Sequence, residues 1–172
     1  MNGFSIRLAR REDAEHLPAI ERAAAVLFEG DPDCADLDFD DVWTVEEHRG
    51  LIAKGHCLVA ENGERIVGFI ATQPYGRELH IWEMDVHPDA QGQGIGAVLL
   101  RACLLDAANA GFRAVTLTTF RDLPWNGPFY ARLGFVEVED IEAHPRLAAE
   151  LEEEIAAGLP EERRAAMIKF LP

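Results

Sequence analysis

A fold of the α/β class, with mixed α+β character, follows from three features of this 172-residue sequence. Apolar alternations of strand length and stretches of helical period succeed one another in the order β-α-α-β-β-β-α-β-α-β. Asn62-Gly63 sits between two β-branched runs, and that pair readily takes the φ > 0 turn of a hairpin. The stretch Val86–Gly96, VHPDAQGQGIG, leads from a strand through a glycine turn into an apolar helix.

In chain order, Phe4, Ile6 and Leu8 alternate on one face and predict a first strand over Phe4–Ala9. A helix is expected from Arg11–Asp13 to Phe28, with Leu17, Ile20, Ala24 and Leu27 along one stripe. Gly30–Asp41 is polar and turn-rich, a loop or broken helix. Val45–Lys54 reads as a short helix closed by Gly55. His56–Glu61 and Arg65–Gln73 form the hairpin. Leu79–Val86 is the strand entering the glycine turn. If unbroken, it puts His80, Trp82, Met84 and Val86 on one face and Ile81, Glu83 and Asp85 on the other. Ile95–Ala110 is a helix with Val98, Leu99, Ala102, Leu105 and Ala108 inward. Strands at Ala114–Thr119 and Phe135–Glu139 flank a short helix, Pro128–Leu133. Two further helices are expected at Pro145–Gly158 and Glu161–Leu171. The stripe Leu147, Leu151, Ile155 docks the first of these on the domain or makes a homodimer contact.

Charge and cysteine usage exclude several classes. The net charge of −15 argues against nucleic acid as partner. No apolar run is long enough to span a membrane, and MNGFSIRLARRED has no signal-peptide core, so the cytoplasm is the expected compartment. Cys34, Cys57 and Cys103 have neither disulfide-framework nor metal-ligand spacing, and no metal is expected. The acidity is uneven. Glu29–Glu47 holds nine carboxylates and no Lys or Arg, while Val86–Val136 carries three carboxylates against four arginines. A near-neutral segment inside an acidic chain suits a polyanionic ligand.

The glycine turn is where such a ligand would lie. Glycine allows tight bends and close approach, and the first helical turn offers unpaired N–H groups with partial positive charge. It is not a P-loop, for no Gly-Lys-Ser/Thr is present. Nor is it a dinucleotide turn. The spacing is G-x-G-x-G, and Arg113–Arg121 holds no carboxylate for a ribose.

The pattern Gln91-x-x-Gly94-x-Gly96, preceded by Met84-x-Val86 and Pro88, resembles the acetyl-CoA motif of the GNAT superfamily of N-acetyltransferases. Asn126–Phe135, NGPFYARLGF, resembles that family's Tyr-x-x-x-Gly-Phe element. The resemblance covers Phe4 to Asp140. It implies a strongly bent mixed sheet flanked by helices, whose fourth and fifth strands splay apart around the cofactor. Residues 1–140 would be the acetyltransferase domain, and 141–172 a helical extension packed on it. It further implies acetyl-CoA as cosubstrate, gripped through Met84, Asp85, Val86, Gln91, Gly92, Gln93, Gly94, Ile95, Gly96 and Ala97. Asn126 would touch the pantetheine arm, and Tyr130 would stand near the sulfur.

The implied reaction is direct acetyl transfer from acetyl-CoA to a primary amine of a small molecule or peptide. Tyr130 is the expected proton donor to the thiolate, and backbone N–H groups at Met84–Val86 the expected oxyanion donors. His80, eleven residues before Gln91, is the expected base, with Glu83 as rival. Seven carboxylates between Glu29 and Asp41 would favour a cationic acceptor. The competing reading is a non-catalytic module that binds acyl-CoA and regulates a partner.

Overall fold

The computed structural model describes residues 3–172, so the first two residues of the expected 1–140 domain lie outside it. Seven strands form one sheet in the order β1-β2-β3-β4-β5-β7-β6. They are β1 (Ser5–Leu8), β2 (Leu58–Asn62), β3 (Arg65–Tyr75), β4 (Glu78–Val86), β5 (Ala114–Phe120), β6 (Val136–Glu137) and β7 (Arg164–Phe170). Five α-helices are interspersed: α1 (Leu17–Ala24), α2 (Val45–Ile52), α3 (Ile95–Asn109), α4 (Gly127–Arg132) and α5 (Pro145–Ala156). Among the described residues, no helix is long and apolar enough to cross a membrane.

The sheet is covered on both faces. Leu58, Ile70, Leu79, Ile81 and Val115 pack under α3. On the opposite face Val59, Phe69 and Ala71 pack under α1 and α2 through Leu17, Ile20 and Leu51. The inward stripe of α3 is Ile95, Leu99, Leu100, Cys103 and Ala107. Of the expected stripe only Leu99 is in the core, while Val98 and Leu105 are exposed. The helix is apolar nearly all round, so period alone does not select its buried side.

Two departures from the sequence expectation shape the site. The first is a bulge in β4. Ala71 pairs with Glu83 but Thr72 with Ile81, leaving Trp82 as the extra residue. The alternation therefore slips by one. Met84 and Val86 pack with Ile81 and Leu79 under α3, whereas Trp82 packs on the other face beside Trp43. The second departure is β7. Glu161–Leu171 is not a helix. A 3-10 turn at Glu161–Arg163 leads into a strand that pairs antiparallel with β5 over seven residues, from Ala114↔Phe170 to Phe120↔Arg164. Ala165–Ile168 are buried consecutively, as in a strand covered on both faces. Ala and Met favour helix in isolation, but β5 would otherwise leave a buried ladder unpaired. The segment 141–172 thus supplies one helix and a strand of the sheet itself.

β4 and β5 are parallel and pair only from Glu78↔Ala114 to His80↔Thr116. Beyond that point they separate, and the gap is the root of the cleft described next.

Candidate active site

A cleft of about 900 Å³ opens where β4 and β5 part. Ile81–Val86 form one wall and Leu117–Phe120 the other. The turn before α3 closes one end, α4 contributes Phe129 and Tyr130, and the loop between α1 and α2 forms the roof.

The glycine turn is built to receive an anion. Gly92 and Gly94 have φ of 76° and 78°, a region that other residues occupy only with strain. Gly94 is the N-cap of α3, a helix of fifteen residues. The first hydrogen bond of the helix runs from Val98 N–H to Gly94 C=O at 3.1 Å. The N–H groups of Ile95, Gly96 and Ala97 consequently have no acceptor within the helix. A Cβ built on Gly94 meets nothing within 4 Å, so open space lies over the turn. The turn thus offers free donors and room for a pyrophosphate.

The other residues expected at this end divide by role. Gln91 lines the cleft, but its Nε2 donates to Val86 C=O at 3.0 Å and so ties the turn to the end of β4. Gln93 is exposed and does not line the cleft. The side chain of Ile95 is in the core, leaving its backbone N–H for the turn. Asn126 lines the cleft as N-cap of α4, and its C=O accepts Tyr130 N–H at 3.0 Å.

Tyr130 is in the core. It is 8% exposed, and its ring packs against Phe129 and Phe135 at 5.3 and 5.8 Å. It still lines the cleft. Burial first, and then the carboxylates of Glu83 and Asp85, raise its phenol above the ordinary value. The hydroxyl therefore keeps its proton at neutral pH. Its placement depends on Gly127, where a Cβ would stand 2.7 Å from Arg121 C=O. Gly127→Ala should push α4 off the end of β5, costing about 1–3 kcal/mol by overpacking. A fall in melting temperature is the expected result.

His80 stands elsewhere. It is fully buried, with Nδ1 2.8 Å from Thr116 Oγ1 and Nε2 2.8 Å from Glu150 Oε1 of α5. Both ring nitrogens are engaged, and the ring does not line the cleft. The imidazole closes the point where β4 and β5 part and is badly placed to take a proton from an amine.

Glu83 and Asp85 do line the cleft. The bulge at Trp82 brings both to the face under α1, where Glu21 joins them. Burial first, then repulsion from Glu21, pushes the Glu83 carboxyl up to about 7. Asp85 is raised well above the usual carboxylate range by burial first and then by Glu83. Asp85 Oδ2 is shut off from solvent and has no hydrogen-bond partner among the described residues. A carboxylate poised near neutrality beside a phenol that stays protonated is an acid–base arrangement.

Asp36, Asp38 and Asp41, from the acidic loop expected to favour a cationic acceptor, line the cleft as its roof. Sequence reasoning missed Glu150 and Glu154, which reach it from α5. Arg164 is the one basic residue lining it among those described, and Glu154 pairs with it at 3.0 Å. The acidity of the roof was visible in the sequence. That the roof folds over the cleft was not.

Known proteins share both the motifs and the architecture. A family model described as the acetyltransferase (GNAT) domain matches residues 53–137. A mycothiol acetyltransferase of Actinosynnema mirum is 32% identical over 121 residues, 68% of this chain and 40% of that protein. An L-2,4-diaminobutyric acid acetyltransferase of Vibrio cholerae is 34% identical over 74 residues, 40% of this chain and 43% of that protein. The chain spans less than half the length of such relatives. A GNAT-family acetyltransferase of Brucella melitensis, solved with acetyl-CoA, superposes with a TM-score of 0.60 at 27% identity, covering 79% of this chain and 84% of that one. The PaiA N-acetyltransferase of Thermoplasma acidophilum, solved with coenzyme A, shares the fold at a TM-score of 0.75 and 16% identity, covering 98% and 99%. The match spans the cleft's β4 wall, the glycine turn and Tyr130, and the chain belongs to the GNAT superfamily of acetyltransferases.

Proposed function

We propose that this chain transfers the acetyl group of acetyl-CoA to a primary amine by direct attack within a ternary complex. One observation carries the reading. The opening between β4 and β5 holds, in a single cleft, the free N–H groups of the glycine turn, the Glu83–Asp85 pair and the Tyr130 hydroxyl. The turn suits the pyrophosphate of acetyl-CoA, and the cleft leads from it toward Tyr130.

The roles follow from the chemistry. Glu83 takes the proton that the acceptor ammonium must lose before its nitrogen can attack the thioester carbonyl. The edge of β4 left free by β5, at Met84–Val86, offers backbone N–H groups to the negative charge growing on the carbonyl oxygen. Tyr130 gives its proton to the departing thiolate as the C–S bond breaks. His80 holds Glu150 and Thr116 at the root of the cleft. The acceptor is a cationic amine of a small molecule or peptide, because roof and walls carry carboxylates with Arg164 alone against them. A non-catalytic acyl-CoA-binding module would have no use for a carboxylate raised to about 7 beside a buried phenol.

Calorimetry tests the cofactor, with acetyl-CoA, CoA and NAD as parallel titrants. Acetyl-CoA and CoA should bind, NAD should not, and Gly94→Glu should abolish binding by placing a side chain and a negative charge over the turn. Turnover is then read on a panel of polyamines, amino sugars and lysine peptides beside neutral and acidic amines. Binding without turnover on any amine would overturn the transferase reading in favour of a binding module.

A further inference from the structure

Arg163 stands just before β7, and its guanidinium gathers three carboxylates from two loops. It grips Asp31 end-on, with Nη1 2.7 Å from Oδ1 and Nη2 2.8 Å from Oδ2. The same Nη1 reaches Asp33 Oδ2 at 2.9 Å, and Nε reaches Asp122 Oδ2 at 3.0 Å. The guanidinium also lies over the Phe120 ring, 5.2 Å from its centre. Asp31 and Asp33 belong to the turn that begins the cleft roof, and Asp122 to the loop between β5 and α4. The Arg163–Asp31 pair is largely buried, with side chains 19% and 17% exposed, whereas Asp33 and Asp122 are half exposed.

The roof has little else to hold it. It contains no α-helix, only the 3-10 turns Ala25–Phe28 and Pro32–Cys34. Beneath it a small cluster of Cys34, Phe120 and Leu123, with Phe28, Leu37 and Phe39 packed against it, supplies apolar contact. Seven carboxylates between Glu29 and Asp41 repel one another, and no Lys or Arg lies within that stretch. Arg22 reaches Asp40 only at 4.0 Å, between exposed side chains. A bidentate, largely buried guanidinium is the strong form of such contacts, and exposed pairs contribute little. Arg163 also holds the Asp31 carboxyl below the usual carboxylate range.

We infer that Arg163 is a positioning residue for the acceptor, a latch fixing the acidic roof over the cleft so that Asp36, Asp38 and Asp41 face the incoming cation. The inference rests on the transferase reading for its consequence in catalysis, though not for the latch itself. Asp31, Asp33, Asp122 and Phe120 are the groups Arg163 holds, none of them in the glycine turn or at Tyr130, so the latch governs acceptor binding and leaves acetyl-CoA binding alone. Arg164, the next residue, turns into the cleft toward Glu154. One dipeptide therefore serves roof and cleft from opposite sides.

Two measurements on the full chain test it. Hydrogen exchange of residues 29–41 should speed up about tenfold or more in Arg163→Ala, the change that losing one charge-assisted bidentate contact brings. Exchange in β4 and α3 should be unchanged, as should acetyl-CoA affinity by calorimetry. Arg163→Lys keeps the charge without the fork and should fall between. With an amine that the wild type acetylates, Arg163→Ala should raise the acceptor KM about tenfold and leave kcat within about twofold. Unchanged exchange in 29–41, or an equal rise throughout the chain, would overturn the latch. Faster exchange with an unchanged acceptor KM would overturn the acceptor role. Failure of the wild type to bind acetyl-CoA would remove the transferase reading, and the exchange result would still decide the latch.

Discussion

Tyr130→Phe should lower kcat about 100-fold, the lower end of what a positioned proton donor contributes, while acetyl-CoA affinity stays within about twofold. The substitution removes one oxygen. The ring remains wedged between Phe129 and Phe135, so α4 and the cleft wall keep their shape. What is lost is a hydroxyl that burial and the neighbouring carboxylates keep protonated across the neutral range. A thiolate leaving group has an ordinary pKa near 8.5. With no donor at hand it must depart as the anion into a cleft already rich in negative charge. The defect should therefore fall on kcat and not on the KM for acetyl-CoA, because the interaction is made only as the C–S bond breaks. Steady-state kinetics with calorimetry on the same variant make the check. An unchanged kcat would reduce Tyr130 to a packing residue, since the aromatic contacts survive the substitution.

How much of this could be read from sequence depends on where the determining contact lies. The glycine turn was legible because its signal is local: Gln91, Gly94 and Gly96 lie within six residues, and the turn's free N–H groups follow from helix geometry alone. The order of elements through β6 was legible for the same reason. β7 was not. RAAMIKF has helix formers at most positions, and only the open edge of β5, some fifty residues earlier in the chain, makes it a strand. His80 was expected as a base because it lies eleven residues before Gln91, where the family resemblance places one. Its burial depends on Glu150, seventy residues away, which no local pattern reveals. The side on which Glu83 and Asp85 emerge depends on the bulge at Trp82, a mismatch between two strands and not a property of either. The roof's acidity was plain, but its anchor, Arg163, is 132 residues from Asp31.

Glu83→Gln should have two effects of opposite sign. As base, the Glu83 carboxylate is active only when ionised, so kcat/KM of the wild type should rise with pH below about 7 and level off above it. In Glu83→Gln that limb should vanish and the rate should fall about 100-fold or more. Stability should move the other way. The carboxyl is raised from 4.5 to about 7 on folding, so between those values the folded chain binds more protons than the unfolded one. Wild-type stability must then fall as pH rises through that window, because an uncompensated charge is held beside Asp85 and Glu21. Glutamine removes that charge. The variant should match the wild type near pH 4 and be more stable above pH 7, by on the order of 1–3 kcal/mol. Asp85→Asn separates the partners. An asparagine amide at position 85 can still donate to Glu83, so the acid limb near 7 should persist. Loss of the limb in Asp85→Asn with its survival in Glu83→Gln would exchange the two roles. Melting curves and rate profiles over the same pH range read both effects. A residue that costs the fold stability when it ionises, at the pH where it is needed ionised, is held there by its chemistry and not by its packing.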